Sequence, residues 1–207
     1  ALVYKRIFIR NLFLFFVSCF FYYKTSGLFV LLLIFSTITD FYFGKQIDKS
    51  ENESKRKFFV TLSVILNLTV LSYFKYAYFF TDTYNTIFHT DHKVFNYLAY
   101  WGNGFSSKGA FSVDEIVLPV GISFYTFQTI SYTVDIYRRK LKSLDSILDF
   151  GFYVTFFPQL VAGPIVRAEE FVPQILRPTE ITAQDFNRGT YFIFKGLIKK
   201  MLFANFI

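Results

Sequence analysis

The chain has 207 residues, of which 53% are hydrophobic and 23% aromatic, 31 of them phenylalanine. That is more apolar surface than one water-soluble core can hide, so a soluble domain is excluded and lipid is the expected solvent. The formal charge of +7 suggests nucleic acid at first, but the Lys and Arg residues sit in short clusters between apolar blocks and make no basic face, so no nucleic-acid partner is expected.

The first apolar block covers residues 7–23 and the second 28–43, with Lys24, Thr25, Ser26 and Gly27 as the turn of a helical hairpin. The lone cysteine, Cys19, lies inside the first block and reads as a small core residue, which leaves no disulfide framework or Cys-based metal site. A polar loop is expected at 44–57, where Lys45, Lys49, Lys55, Arg56 and Lys57 mix with Asp48, Glu51 and Glu53. Residues 58–80 form a third block of spanning length. A second polar loop follows at 81–115, with a short interfacial helix expected around 94–101.

Leu118 and Pro119 open a fourth block that ends near Tyr137, with the proline placed in the first helical turn. Arg138, Arg139, Lys140 and Lys142 make the second basic cluster. If both clusters face the cytoplasm, two spans connect them and the intervening loop lies outside. The fifth apolar stretch, 147–166, holds Pro158, Gly163 and Pro164 together with Asp149 and Gln159. Such a stretch is expected to be a broken or re-entrant element packed in protein, because lipid cannot satisfy the backbone groups that the prolines free. Thr182 is a candidate cap for a last helix, with Arg188, Lys195 and Lys199 on one stripe and Tyr191, Phe192, Ile198 and Leu202 elsewhere. That helix lies along the membrane surface or at the edge of a bundle. Both ends of the chain read as cut, and no cleavable signal peptide is read at its start. The fold class is all-α: a polytopic transmembrane helical bundle with a broken or re-entrant helix and an amphipathic carboxy-terminal helix.

Three sets of polar residues stand out. Arg10 and Asp40 are equally far from the turn at Thr25, so a structural ion pair is expected. Lys75, alone within the third block, either snorkels or faces the bundle interior. His89 and His92, with Asp82 and Asp91 nearby, have a spacing that can hold a divalent metal, but without a Cys or an H-E-x-x-H pattern they read as a solvated loop.

Two strings, LPVGISFYTFQTISYTVDIYRRK at 118–140 and FFPQLVAGPIVR at 156–167, resemble the alginate O-acetyltransferase branch of the membrane-bound O-acyltransferase (MBOAT) family. RNLFLFF from Arg10 and GLIKK at 196–200 fit the same pattern in the same order. The resemblance implies that residues 1–207 are the amino-terminal portion of one membrane-embedded domain whose catalytic half is missing. It also implies a multi-pass protein of the bacterial cytoplasmic (inner) membrane. Its chemistry would be transfer of an acyl group, acetyl foremost, from a cytoplasmic thioester such as acyl-CoA or an acyl carrier. The acceptor would be a hydroxyl of an exported polysaccharide, reached directly or through an accessory periplasmic acyltransferase, with the thioester as cosubstrate and no bound cofactor or metal.

The family's catalytic histidine lies downstream of both strings and is expected beyond Ile207, whereas His89 and His92 lie upstream. Gln128, Asp135, Gln159 and Arg167 are the candidate substrate-binding residues, because they are polar groups within the two strings where the backbone is irregular. Gln128 and Gln159 would donate to an acyl carbonyl or thioester and Arg167 would meet a donor phosphate, unless all four tie the broken helix to its neighbours. D-alanine transfer to teichoic acid and a transporter or channel are the competing functions.

Overall fold

A computed structural model describes residues 7–105, 112–163, 166–177 and 182–204. Among these residues there is no strand. Helix α1 (Ile7–Ser26) and helix α2 (Val30–Lys49) meet at a 3-10 turn over Gly27–Phe29. Helix α3 (Glu53–Leu71) passes through a π-helical segment, Ser72–Tyr76, into α4 (Ala77–Phe88). Then come α5 (Tyr97–Phe105), α6 (Ile122–Tyr137), α7 (Ile147–Thr155), α8 (Phe157–Ala162), α9 (Ala168–Ile175) and α10 (Ala183–Ile198). The runs Ile7–Lys49 and Glu53–Phe88 are long and apolar enough to cross a membrane. The first is bent at the 3-10 turn into two antiparallel arms of 20 residues each, about 30 Å apiece at the helical rise.

The bundle is apolar outside, and its apolar core holds a set of polar groups. Phe13, Phe16 and Phe20 on α1, and Leu31, Phe35, Ile38 and Tyr42 on α2, recur at helical spacing and are at least half exposed. An apolar stripe of that extent faces lipid and not water. The protein is a membrane protein. Helix α6 lies at the centre, with Tyr125, Thr129, Tyr132 and Thr133 fully buried among α2, α3, α7 and α9.

Two ends are defined by contacts. At one, Lys45 pairs with Asp145 at 2.7 Å, Asp48 accepts from the amide and hydroxyl of Ser143, and Arg56 reaches Ile136 and Tyr137. Both basic clusters therefore share one end of the bundle, and the Lys45 ammonium holds the Asp145 carboxyl below its ordinary range. At the other end, Tyr22 donates to the Val120 carbonyl, Lys75 to Ser123 and Tyr73 to Asn96.

Several expectations change. Arg10 and Asp40 do not pair. Arg10 donates to the Ile175 and Arg177 carbonyls at 2.5 and 3.2 Å, where its charge meets the negative end of α9. Asp40, fully buried, accepts from Ser63 at 2.6 Å and from Asn67 at 2.8 and 3.0 Å, with Thr129 bonded to Asn67 and Thr133 to Ser63.

The loop expected at 44–57 narrows to 50–52, because α2 continues to Lys49 and Asn52 caps α3 by accepting from Ser54 and Lys55. Helix also continues through 81–88, where Thr81, Thr83 and Thr86 return their hydroxyls to carbonyls four residues back. The interfacial helix begins at Tyr97 and not Val94. Pro119 precedes α6 and is not part of its first turn. Lys75 sits in the π segment and bends to Ser123 with its ammonium 5.5 Å from the Tyr76 ring. Pro164 lies outside the described residues.

Arg56 is the most buried cation among the described residues, 3% exposed, and its fork closes two helix ends at once. It donates to Ile47 at 2.6 Å, Ile136 at 3.0 Å and Tyr137 at 2.8 Å. Each such bond from a charged donor contributes roughly 1.5–3 kcal/mol. Arg56→Leu is expected to lower the unfolding temperature in detergent sharply, and Arg56→Lys to restore only part, since an ammonium cannot span the separate carbonyls. A lysine variant as stable as the parent would refute the clamp.

Candidate functional site

The site is built on α6 and the broken stretch that follows it. Gly121 caps α6 with φ +72°, and a methyl group there would meet the Leu160 carbonyl oxygen at 2.9 Å, so a side chain is excluded by both conformation and space. Helix α7 starts on Ser146, whose hydroxyl accepts from the Asp149 amide. It packs closely on α1, where Gly151 admits the Phe15 ring. The helix stops at Phe156, which turns to ψ 102°, and α8 restarts with Pro158 in its first turn. The expected break is thus present just before Pro158, and Gly163 ends α8 in an extended conformation.

A broken helix leaves carbonyls without intrahelical donors. Gln128 supplies one: its Nε2 donates to the Tyr153 carbonyl at 2.8 Å and lies 3.4 Å from Gln159 Oε1. Gln159 is half-buried, and no bond from its Nε2 is found among the described residues. The Tyr153 hydroxyl donates to Val166 at 3.2 Å and lies 3.5 Å from the Gln128 carbonyl, so it ties the outgoing and returning arms together.

The arms return to where they started. Asn11 donates to Asp149 at 2.7 Å, at the beginning of α7, and lies 3.4 Å from the Ile175 carbonyl, at the end of α9. The stretch is therefore re-entrant from the basic end, reaches Gly121 at the far end of α6, and comes back.

Of the four candidate residues, Gln128 and Gln159 are brought together. Asp135 lies two turns along α6 toward the basic end, 6% exposed, and its buried Oδ2 has no hydrogen-bond partner among the described residues. Arg167 is separate, exposed at the N-terminus of α9 one residue past Val166. The sequence reading missed Tyr153, Asn11 and Arg10 as the groups that hold the element, because nothing local marks which distant carbonyl a side chain will meet.

His89 and His92 are exposed at the opposite end, and Asn85 bonds the backbone amide and carbonyl of His92. Two open grooves of about 710 and 580 Å3 also lie at that end, lined around Trp101 and Tyr84, and neither includes the glutamine pair.

Gln128→Leu is expected to destabilise the protein by about 1–3 kcal/mol, the cost of a buried carbonyl left unpaired. Gln159→Leu should cost less, since it removes only the longer contact. Thermal unfolding in detergent measures both, and equal losses would show that the Tyr153 carbonyl is not what Gln128 serves.

No family model and no solved structure matches the chain. Curated relatives do. Over 95% of its length the chain is 33% identical to the probable alginate O-acetylase AlgI of Pseudomonas aeruginosa and 34% identical to that of Azotobacter vinelandii, covering 35% and 36% of those proteins. It is 27% identical, over 94% of its length, to the peptidoglycan O-acetyltransferase of Helicobacter pylori and covers 38% of it. The chain thus spans about a third of the length of the curated relatives it matches. The two strings lie within a match that runs along nearly the whole chain, which is thus similar, over about a third of their length, to the alginate O-acetylases of these bacteria.

Proposed function

We propose that the protein containing this chain crosses the bacterial cytoplasmic membrane several times and transfers an acyl group, acetyl foremost, from a cytoplasmic thioester to a hydroxyl of an exported polysaccharide or of an accessory periplasmic acyltransferase. The match to alginate O-acetylases along 95% of the chain carries this reading. The peptidoglycan O-acetyltransferase relative supports the same chemistry on a different polymer. In the reaction the thioester C–S bond breaks as an ester C–O bond forms. The acceptor hydroxyl gives its proton to a base and the thiolate leaves. A histidine beyond Ile207 is the proposed base, suited by an ordinary pKa near neutrality.

The residues of this chain position the acyl group. Gln128 orients Gln159 by its contact at 3.4 Å, which leaves Gln159 Nε2 to donate to the acyl carbonyl oxygen as it gains charge. Arg167, exposed and cationic, meets a phosphate of the donor. Asp135 offers its buried Oδ2 as an acceptor between the glutamine pair and the basic end.

Loss of a donor to a developing oxyanion costs roughly a hundred- to a thousandfold in rate. Gln159→Ala in the full-length protein, at equal membrane abundance, should lower acetyl groups on the exported polymer by that order, with a smaller loss for Arg167→Ala. The 207-residue chain alone should transfer none. Unchanged acetylation in both variants would reduce these residues to packing groups.

The basic end is cytoplasmic in this reading. In a Cys19→Ser background, an impermeant thiol reagent should label Asp91→Cys in intact cells and Lys55→Cys only after permeabilisation, and the opposite pattern would invert the protein.

A further inference from the structure

We infer that α10 lies in the plane of the membrane surface at the basic end of the bundle and selects anionic lipid headgroups. Among the described residues its hydrogen bonds and ring contacts are all internal to the helix and its cap. Every large apolar side chain described from Phe186 to Leu202 is at least 48% exposed. It is nevertheless well formed: Thr182 and Asp185 make a reciprocal capping box, with bonds of 2.6, 3.1 and 3.1 Å. A capped helix with a bare apolar face requires a covering partner.

Charge and position identify that partner. At 3.6 residues per turn, Phe186, Ile193, Phe194, Leu197 and Ile198 share one arc, and Arg188 and Lys195, with Lys199 at the start of the π-helical continuation Lys199–Ala204, fall within about 40° of one another on the opposite face. The Arg188 guanidinium lies 5.8 Å from the Phe192 ring and the Lys195 ammonium 5.8 Å from the Tyr191 ring, so the charged heads sit at the rim of aromatic surface in the manner of snorkelling side chains. Asp185, the one acidic residue of the helix, is held in the cap.

Position follows from chain reach. Arg177 is held by Arg10 at the basic end, and the five residues on to Thr182 extend at most about 18 Å. Helix α10 therefore starts beside the two other basic clusters, and the three together present a cationic face with an apolar arc beneath it. A leaflet of anionic lipid is complementary to both.

The test uses the full-length protein with Cys19 and any further native cysteine changed to serine and with Ile193→Cys, carrying an environment-sensitive dye at the new thiol. It is reconstituted in vesicles of phosphatidylcholine alone or with phosphatidylglycerol, each containing a lipid-borne nitroxide quencher. The dye should be quenched by the nitroxide, shielded from aqueous iodide, and more deeply inserted when phosphatidylglycerol is present. Each neutralised charge should lower the preference for the anionic membrane about fivefold, so Lys195→Gln with Lys199→Gln should lower it about 25-fold. Lys195→Arg with Lys199→Arg should keep it. A dye open to iodide in both membranes, shielded from both quenchers by protein, or quenched equally in both compositions would overturn the inference. None of these readouts depends on acyl transfer, so the inference stands or falls apart from the proposed activity.

Discussion

Every carbonyl released by a broken helix must find a donor where lipid offers none, and this requirement governs the bundle. The donors are side chains of other helices. Arg56 serves the ends of α2 and α6, Arg10 the end of α9, Gln128 the end of α7, and Tyr22 the turn before α6. Each of these groups reaches an element distant in sequence. The same bonds that satisfy the backbone therefore also set how the helices are arranged, and the irregular backbone of the re-entrant stretch is tolerated because its neighbours complete it.

The interior network around Asp40 works alongside these caps. Dispersion alone discriminates poorly between neighbouring registers of apolar helices in lipid, whereas a carboxylate bonded to Ser63 and Asn67, with Asn67 bonded in turn to Thr129, admits one register of α2, α3 and α6. No cation takes part in these bonds. The arrangement gives directional bonds from neutral donors, and a shift of one residue in any of the three helices would break several of them together.

Much of this was legible in the sequence where local chemistry decides. Uninterrupted apolar blocks marked the long helices, Pro158 marked the break, and Thr182 marked the last cap. Legibility failed where a residue's role depends on a distant partner. Arg56 read as a loop charge because the residues around it are polar, yet the helix turns it inward onto carbonyls 80 residues away. Arg10 and Asp40 read as a pair because their depth matched, but depth does not fix the face on which a side chain emerges. Threonines at 81, 83 and 86 read as loop, while their hydroxyls bond back along the helix and leave it unbroken. Within the candidate site, Gln128 and Gln159 stand out as polar groups inside the two strings, whereas Tyr153 is hidden by its resemblance to any other aromatic residue.

The joint hold of Asn11 on both Asp149 and Ile175 bears on how the chain is threaded during synthesis. A stretch that enters and leaves at one end changes no parity. α1, α2, the α3–α4 run and α6 run between the two ends of the bundle, and the stretch from α7 to α9 returns to the end it left. A count of apolar segments would score that stretch as a fifth traverse of the bundle and put the residues after it at the wrong end. The side chain of Asn11 thus acts as a bookmark: it keeps the beginning and the end of the stretch at the same end of the bundle.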